Sequence, residues 1–419
     1  MAGCMGSSLE QTPLPAEPET AAPAPASHAS QTDASEAPDT TGDDSSDDAA
    51  PISGTHAPSA APSQKSSAAP SGVRYACRQP AAADRRACDA IVQAPAPQRN
   101  AGGCNRSVPY CASDLQAAYG LSQAARDGGK GVVVGIVDAY GYAAAATDLT
   151  AYRKQMGLPG CAISNGCLRI VNQRGRANPL PKSNAATGDD WQAEEALDLD
   201  IVSAICPNCR IVLVQANSDK SADLAASVTA AGGLGAVAIV NAYGGKEKGA
   251  SDAAYRRSGR AIVASAGSGG AGLRAPCSYA AVICVGGTSL APTSSARGWS
   301  ERIWRDAASG CSAIVAKPSW QRGSRCKTRA IPDLSAVADP ATGVAVYESP
   351  GGWQQMGGTG IGSAIVAALF ALGPPAARTN APEWIWRHGA YGSYRRVGDA
   401  KSGYDGAAGW GTPNGTGGF

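Results

Sequence analysis

The chain has 419 residues and a formal net charge of +2, so it lacks the basic excess that indicates a nucleic-acid partner. Its length allows two or three domains, and no apolar run is long enough to span a bilayer.

Residues 1–73 are rich in Ala, Pro, Ser and Thr and contain ten acidic residues but only one basic residue, Lys65. Such a composition cannot bury enough apolar surface to offset the entropy of ordering, so we predict a disordered acidic tether. Two hypotheses stay open for it: the tether lies loosely on the more basic remainder of the chain, or it is a solvated spacer. Two of the three histidines, His28 and His56, fall in this segment.

Thirteen cysteines indicate an oxidising compartment. Only one CxxC motif is present and no histidine lies near it, which argues against zinc. Twelve cysteines form closely spaced pairs, for which we predict disulfides. These pairs are Cys77 with Cys88, Cys104 with Cys111, Cys161 with Cys167, Cys206 with Cys209, Cys277 with Cys284, and Cys311 with Cys326.

The thirteenth cysteine, Cys4, follows Met1-Ala2-Gly3 and resembles the end of a bacterial lipoprotein signal. No apolar segment precedes it, so we expect the true start to lie upstream and Cys4 to carry lipid. A chance match of four residues is the alternative. The first hypothesis predicts a protein exported to the bacterial cell envelope.

Residues 74–106 predict a small Cys-stapled segment, and residues 107–419 predict the main domain. Helices are expected over 107–125, 143–156 and 361–372. Strands are expected over 131–140, 210–216, 236–244, 261–267 and 280–288. Alternation of strands and helices predicts a parallel α/β sheet with helices on both faces and a site beyond the carboxyl ends of the strands.

Residues 188–209 contain two acids, Glu194 and Asp198, that lie on one face of a predicted helix, one turn apart. Close carboxylates push their pKa values apart, which can turn one of them into a base near neutral pH. The alternative hypothesis is a solvated acidic face. Its other members would be Asp189, Asp190, Glu195 and Asp200.

Seven collinear motifs resemble the sedolisins, which are serine-carboxyl peptidases with a subtilisin-like fold. The resemblance covers most of residues 75–419 and implies a disulfide-rich domain of that fold. The motifs are WQAEEALDLD at 191–200, GGTSL at 286–290, RGWSE at 297–301, SGCSA at 309–313, KPSWQ at 317–321, ADPATGVAVY at 338–347 and GYDGAAGWGTPNGTG at 403–417.

The resemblance implies that Glu194 matches the catalytic base and Asp198 the acid behind it. Gly360 stands where the family has its reactive serine, and Ser268 stands where the family has an oxyanion aspartate. Glycine has no nucleophile, and Ser363 lies too deep in the helix to replace it. His388 lies away from any triad motif, which argues against a Ser-His-Asp triad.

Asp138, at the end of the 131–140 strand, has two interpretations. It extends the carboxylate network, as an acid at this strand end does in relatives, or it caps the following helix.

The family also binds calcium near its C-terminus, and Gly403 and Asp405 match that motif. The upstream aspartate is missing, because the chain has Arg395-Arg396-Val397 there. Asp399 could supply part of the lost coordination. Since hard cations depend on carboxylate ligands, we expect weak calcium binding or none.

Three functional hypotheses follow. The first is an inactive sedolisin-family pseudopeptidase that binds peptides or acts as an envelope scaffold. The second is an active acid endopeptidase that uses Glu194 and Asp198 with an unrecognised nucleophile. The third is a purely structural surface protein.

Overall fold

A mostly parallel β-sheet runs through the centre of the protein in a computed structural model. The structure describes residues 72–93, 104, 106–184, 188–249, 253–269, 272–397 and 403–419. Apart from Gly72 and Val73, the predicted tether lies outside these residues, as do Cys4, His28, His56 and Asp399. The described residues all belong to one compact unit of the chain.

The described residues form seven α-helices and seventeen strands. The helices are α1 (Ala112–Tyr119), α2 (Ser122–Asp127), α3 (Ala145–Gln155), α4 (Trp191–Ile205), α5 (Ser221–Gly233), α6 (Thr359–Leu372) and α7 (Ala381–Ala390). The strands are β1 (Val73–Tyr75), β2 (Ala87–Cys88), β3 (Ile91–Gln93), β4 (Val133–Ala139), β5 (Leu168–Asn172), β6 (Arg210–Ala216), β7 (Ala238–Asn241), β8 (Tyr243–Lys246), β9 (Ala261–Ser265), β10 (Arg274–Ala275), β11 (Ile283–Pro292), β12 (Trp299–Ile303), β13 (Gly310–Ala316), β14 (Thr328–Ile331), β15 (Leu334–Val337), β16 (Val344–Glu348) and β17 (Gly352–Gly357).

The central sheet has the strand order β12-β11-β9-β7-β4-β6-β5, and β15 also pairs with β11. All pairs are parallel except β11 with β12. The pattern confirms the predicted parallel α/β architecture. The aliphatic runs of β4, β6, β7 and β9 are buried on both faces, as strands covered by helices should be.

Helices cover both faces of this sheet. A side chain at Gly135 of β4 would meet Ala231 of α5, so that face of β4 carries α5. Successive residues of a strand point to opposite faces, so Asp138 points the other way. On that side α4 packs against β4 and α6, and α6 packs against β7, β9 and β11. Asp138 therefore points toward the helix that bears Glu194.

Two predicted elements are divided in the structure. The helix expected over 107–125 becomes α1 and α2, because Gly120 adopts a left-handed conformation with φ 69° and ends α1. The strand expected over 236–244 becomes β7 and β8. β8 leaves the central sheet to pair with β2 and β10.

The N-terminal described residues are integrated with the main domain. β1 and β3 join a four-stranded sheet of order β1-β3-β17-β16, and β2 pairs with β8. All six predicted cysteine pairs are joined, with Cα–Cα distances from 4.7 to 5.9 Å. In the part of the chain that the structure describes, no helix has the length and apolarity needed to cross a bilayer.

Candidate active site

Helix α4 places the acid pair in the protein interior. The helix begins after Asp190, whose side chain accepts a hydrogen bond from the Ala193 amide at 3.2 Å. Glu194 and Asp198 are both fully buried. Glu195 and Asp200 are buried as well, so the hypothesis of a solvated acidic face is wrong. The helix packs against α6 and β4 at this point, which excludes the acids from solvent.

Glu194 is held by backbone amides from the N-terminal segment. Its Oε2 accepts hydrogen bonds from Asp89 N at 2.6 Å and Ala90 N at 2.5 Å. Its Oε1 accepts none from any described residue. The carboxyl group is therefore anchored through one oxygen, while the other oxygen faces Gly360.

Gly360 lies in the first turn of α6, directly against this carboxyl group. A Cβ atom added at Gly360 would lie within 3.0 Å of Glu194 Oε1, closer than real contacts allow. The carboxyl group thus occupies the space that a side chain at position 360 would need. The structure brings these two predicted site residues into direct contact.

Both hydroxyl groups nearest Gly360 in sequence have other partners. Ser363 Oγ donates to the Gly360 carbonyl oxygen at 2.8 Å, and Thr359 Oγ1 accepts from the Gly267 amide at 2.9 Å. Ser268 Oγ accepts from the Thr359 amide at 3.3 Å, so it lies at the N-terminus of α6 beside the same turn. Three of the four predicted site residues, Glu194, Gly360 and Ser268, therefore lie around the first turn of α6.

Asp198 and Asp138 complete a buried carboxylate cluster. Neither oxygen of either residue accepts a hydrogen bond from a described residue. Burial raises the pKa of Asp138 to about 8. Burial and the nearby acids, Asp138 first among them, raise the pKa values of Glu194 and Asp198 well above the ordinary carboxyl range. Of the two interpretations of Asp138, the structure supports the network.

Glu195 adds a fourth acid to this cluster. It accepts a hydrogen bond from Gln215 Nε2 at 2.8 Å, and burial raises its pKa as well. No feature of the sequence indicates this role, because Glu195 lies among several acids that look alike. Mutual repulsion and burial both disfavour the ionised form of these carboxyl groups.

A segment that sequence reasoning missed crosses the site, and we call residues 85–91 the strap. Its β2 pairs antiparallel with β8, with Ala87 opposite Gly244 and Cys88 opposite Tyr243. Its last residue, Ile91, opens β3 and pairs with Gly357 of β17. The strap therefore runs between two strand edges, which is how an extended peptide adds to a sheet.

The centre of the strap is Asp89, which lies directly over α6. Its carbonyl oxygen is so close to Gly358 that no Cβ atom would fit there, and Gly358 has φ 104°. Its buried carboxylate pairs with Arg274 and accepts a hydrogen bond from Ser265. The Cys77–Cys88 disulfide ties the preceding residue to the neighbouring loop.

Gly403 and Asp405, which resemble part of a calcium site, lie among the described residues near the C-terminus. In the described parts of 391–397 and 403–419, Asp405 is the one carboxylate. Its Oδ1 accepts hydrogen bonds from the amides of Ala407 at 2.8 Å and Ala408 at 2.9 Å, within the turn that Gly403 precedes. The side chain therefore has a structural partner already, and a second acid is missing from these residues.

Comparisons of sequence and of structure both find similarity to sedolisin. No protein-family model matches the chain. Sedolisin from Pseudomonas sp. (strain 101) is 33% identical over 157 residues, which are 34% of this chain and 26% of that protein. The chain thus matches about a quarter of the curated relative's length.

Two solved structures resemble the protein. One is Pseudomonas sedolisin, a serine-carboxyl proteinase complexed with two molecules of pseudo-iodotyrostatin. It has a TM-score of 0.58 at 20% identity, covering 75% of this chain and 96% of that one. The other is fervidolysin from Fervidobacterium pennivorans, a keratinolytic enzyme related to subtilisin, with a TM-score of 0.48 at 15% identity, covering 79% and 50%. The chain is thus similar in sequence to part of sedolisin, and the first structural likeness shows that it has the subtilisin-like fold of that proteinase.

Proposed function

We propose that this sedolisin homologue is a catalytically inactive pseudopeptidase that acts as a binding or scaffold protein of the cell envelope. The observation that carries the proposal is the contact between Glu194 and Gly360. Glycine supplies no nucleophile, and the carboxyl group that would serve as the base lies in the space of the missing side chain.

The neighbouring hydroxyl groups support the same conclusion. A nucleophile must lie within hydrogen-bond reach of its base. Ser363 instead donates a hydrogen bond to a backbone carbonyl oxygen. Thr359 accepts a hydrogen bond from the Gly267 amide, in the loop that bears Ser268. At the oxyanion position Ser268 has a hydroxyl where the family has an acid. Losing one such donor costs about 2.7–4 kcal/mol, whereas losing a nucleophile costs about a millionfold in rate.

The strap adds a second obstacle. It pairs with β8 and β17 and contributes the amides that Glu194 binds, so the chain fills the groove between these two strand edges with its own backbone. An external peptide would have to break these hydrogen bonds and separate Asp89 from Arg274 before binding there. We therefore propose that any partner binds at another surface.

The proposed cellular location rests on the cysteines. Six disulfides are stable in an oxidising compartment, so we propose an extracytoplasmic protein, either secreted or anchored by a lipid on Cys4. Membrane fractionation of the full reading frame tests the lipid. A soluble product that retains Met1 would contradict the anchor.

Hydrolysis of denatured casein between pH 3 and pH 7 tests the proposed inactivity. We expect no new amino termini with the wild-type protein and no difference from Glu194→Gln. Cleavage by the wild-type protein that Glu194→Gln abolishes would establish the active endopeptidase instead.

A gain-of-function series sharpens this test. Gly360→Ser alone should restore little, because Ser268 remains at the oxyanion position and the strap remains in the groove. Adding Ser268→Asp and releasing the strap with Cys77→Ser and Cys88→Ser should act cooperatively, since these changes serve one transition state. Loss of the gained activity on Glu194→Gln would confirm the assigned base.

A further inference from the structure

An open cavity of about 520 Å³ lies beside α7, on residues that have no part in the carboxylate cluster. Four aromatic side chains form much of its lining: Trp320, Trp386, Trp410 and Tyr391. Tyr391 is 83% exposed, which is unusual for a large aromatic side chain. The size is typical of small-ligand sites, which combine apolar walls with a few polar groups.

A buried polar network fixes the floor of this cavity. Trp386 Nε1 donates to Asp333 Oδ1 at 2.5 Å, and Asp333 forms a fully buried ion pair with Arg329 at 2.6 Å. The Arg329 guanidinium lies 5.3 Å from the centre of the Trp320 ring. Two of the aromatic walls are thus held by one ion pair, so the cavity is formed before any ligand arrives.

The third indole is fixed by the backbone of α7. Trp410 lies so close to Gly389 that no Cβ atom would fit at that position. Its ring meets the Trp386 ring edge-on, with 5.5 Å between centroids. The aromatic walls are therefore rigid surfaces that lose little entropy when a ligand binds.

Charged planar groups form the rim. Arg387 and Glu383 make an ion pair at 3.1 Å and are both partly exposed. Arg322 is exposed and makes no ion pair with any described residue. The rim therefore carries a net positive charge and offers guanidinium donors and one carboxylate acceptor.

These features discriminate between ligand classes. An aliphatic chain would be expected to meet Leu, Ile or Val, and the one aliphatic lining residue is Ala390. A cationic ligand would be opposed by the net positive rim. A pyranose ring has an apolar C–H face that stacks on an indole, and hydroxyl groups that bond to guanidinium and carboxylate groups.

We propose that the α7 cavity binds a saccharide, with a preference for a sugar that carries a carboxylate. The sugar ring would lie on Tyr391 and on the partly exposed Trp320 and Trp410. Its carboxylate would pair with Arg322, whose planar fork suits that geometry. The proposal is independent of the state of the carboxylate cluster, because the cavity shares no residue with it.

Isothermal titration calorimetry of the full chain tests the proposal with three probes: oligogalacturonate, chitooligosaccharide and an octyl-chain detergent monomer below its micelle concentration. We expect binding of oligogalacturonate, weaker binding of chitooligosaccharide and none of the octyl probe. Tyr391→Ala should lower the affinity for both saccharides about tenfold. Arg322→Ala should lower the affinity for oligogalacturonate about tenfold and the affinity for chitooligosaccharide less than about twofold.

The matched control is Arg325→Ala, which removes an exposed arginine three residues from Arg322 and outside the cavity lining. It should leave both affinities unchanged, and unfolding curves should show that all variants are folded. Absence of saccharide binding by the folded wild-type protein would overturn the proposal. So would binding of the octyl probe alone, or saccharide affinities that Tyr391→Ala and Arg322→Ala leave unchanged.

Discussion

The carboxylate cluster and the α7 cavity differ in how far their side chains are exposed to solvent. In the cluster, four acids are buried, the space beside Gly360 is filled by Glu194, and the strap closes the groove. In the cavity, Tyr391 and the two rim arginines are exposed, and two of the three tryptophan side chains are partly exposed. The first region is therefore closed to external groups, whereas the second is accessible to a ligand.

The largest expected effect comes from removing the cation beneath the strap. Arg274→Met leaves Asp89 buried without its partner, which should lower the free energy of unfolding by about 3–5 kcal/mol at pH 7. The loss should shrink at acidic pH, where Asp89 can take up a proton. Urea unfolding at both pH values measures it.

The matched control for Arg274 is Arg74→Met, because Arg74 makes an ion pair with Asp190 at 3.1 Å that is 52% and 28% exposed. Such exposed pairs contribute about 0–1 kcal/mol. Equal losses for the two variants would contradict a strap held by a buried ion pair.

The next effect concerns the disulfide beside the strap. Replacing Cys77 and Cys88 with serine opens a loop with a sequence separation of 11 residues, which should destabilise the protein by about 2–3 kcal/mol. Saccharide binding at the α7 cavity should stay unchanged, since the two regions share no residues. Thermal unfolding and calorimetry on the same sample check both. A loss of cavity binding would show that the regions are coupled.

The acid cluster should make stability depend on pH. Because the pKa of Asp138 is raised to about 8, the folded protein keeps a proton that the unfolded chain releases near pH 4. Stability therefore falls as pH rises from about 4 to 8.

Asp138→Asn should reduce this dependence of stability on pH, whereas Asp127→Asn, at an exposed position, should leave it unchanged. Urea unfolding across the pH range tests this. Stability that increases between pH 5 and pH 7 would contradict a protonated cluster.

The smallest expected effect is that of a chelator. A bound ion stabilises the folded state in proportion to the logarithm of its concentration over its dissociation constant. Since Asp405 is the one acid in the described part of this region, EDTA should shift the melting temperature by less than about 1 °C. A large fall would show that Asp399, or another group, completes a calcium site.

The sequence predicted the architecture well, because β4, β6, β7 and β9 are rich in aliphatic residues and Glu194 and Asp198 share a helix face. It also placed Glu194, Gly360 and Ser268 at one site through their motifs. It did not predict the strap. Asp89 and Ala90 act through backbone amides, which every residue has, so no side-chain pattern marks them.

The α7 cavity was equally hidden in the sequence. Its walls come from Trp320, Trp386 and Trp410, which are far apart along the chain and meet only after folding. The burial of Glu195 could not be predicted either, because its neighbours Asp189 and Asp190 are half-exposed acids of the same kind. Tertiary contacts alone distinguish them.

Amide hydrogen exchange of the strap tests the central claim most directly, namely that the chain's own backbone fills the groove and is held by Glu194. The Asp89 and Ala90 amides should exchange only through global unfolding in the wild-type protein, as buried hydrogen-bonded amides do. Glu194→Ala should accelerate exchange of the Ala90 amide selectively and leave amides of β4 protected. The Asp89 amide should change less, because it also donates to the Ala242 carbonyl oxygen at 3.2 Å. Exchange of both wild-type amides at the rate of exposed loops would contradict the account, because the strap would then not occupy the groove.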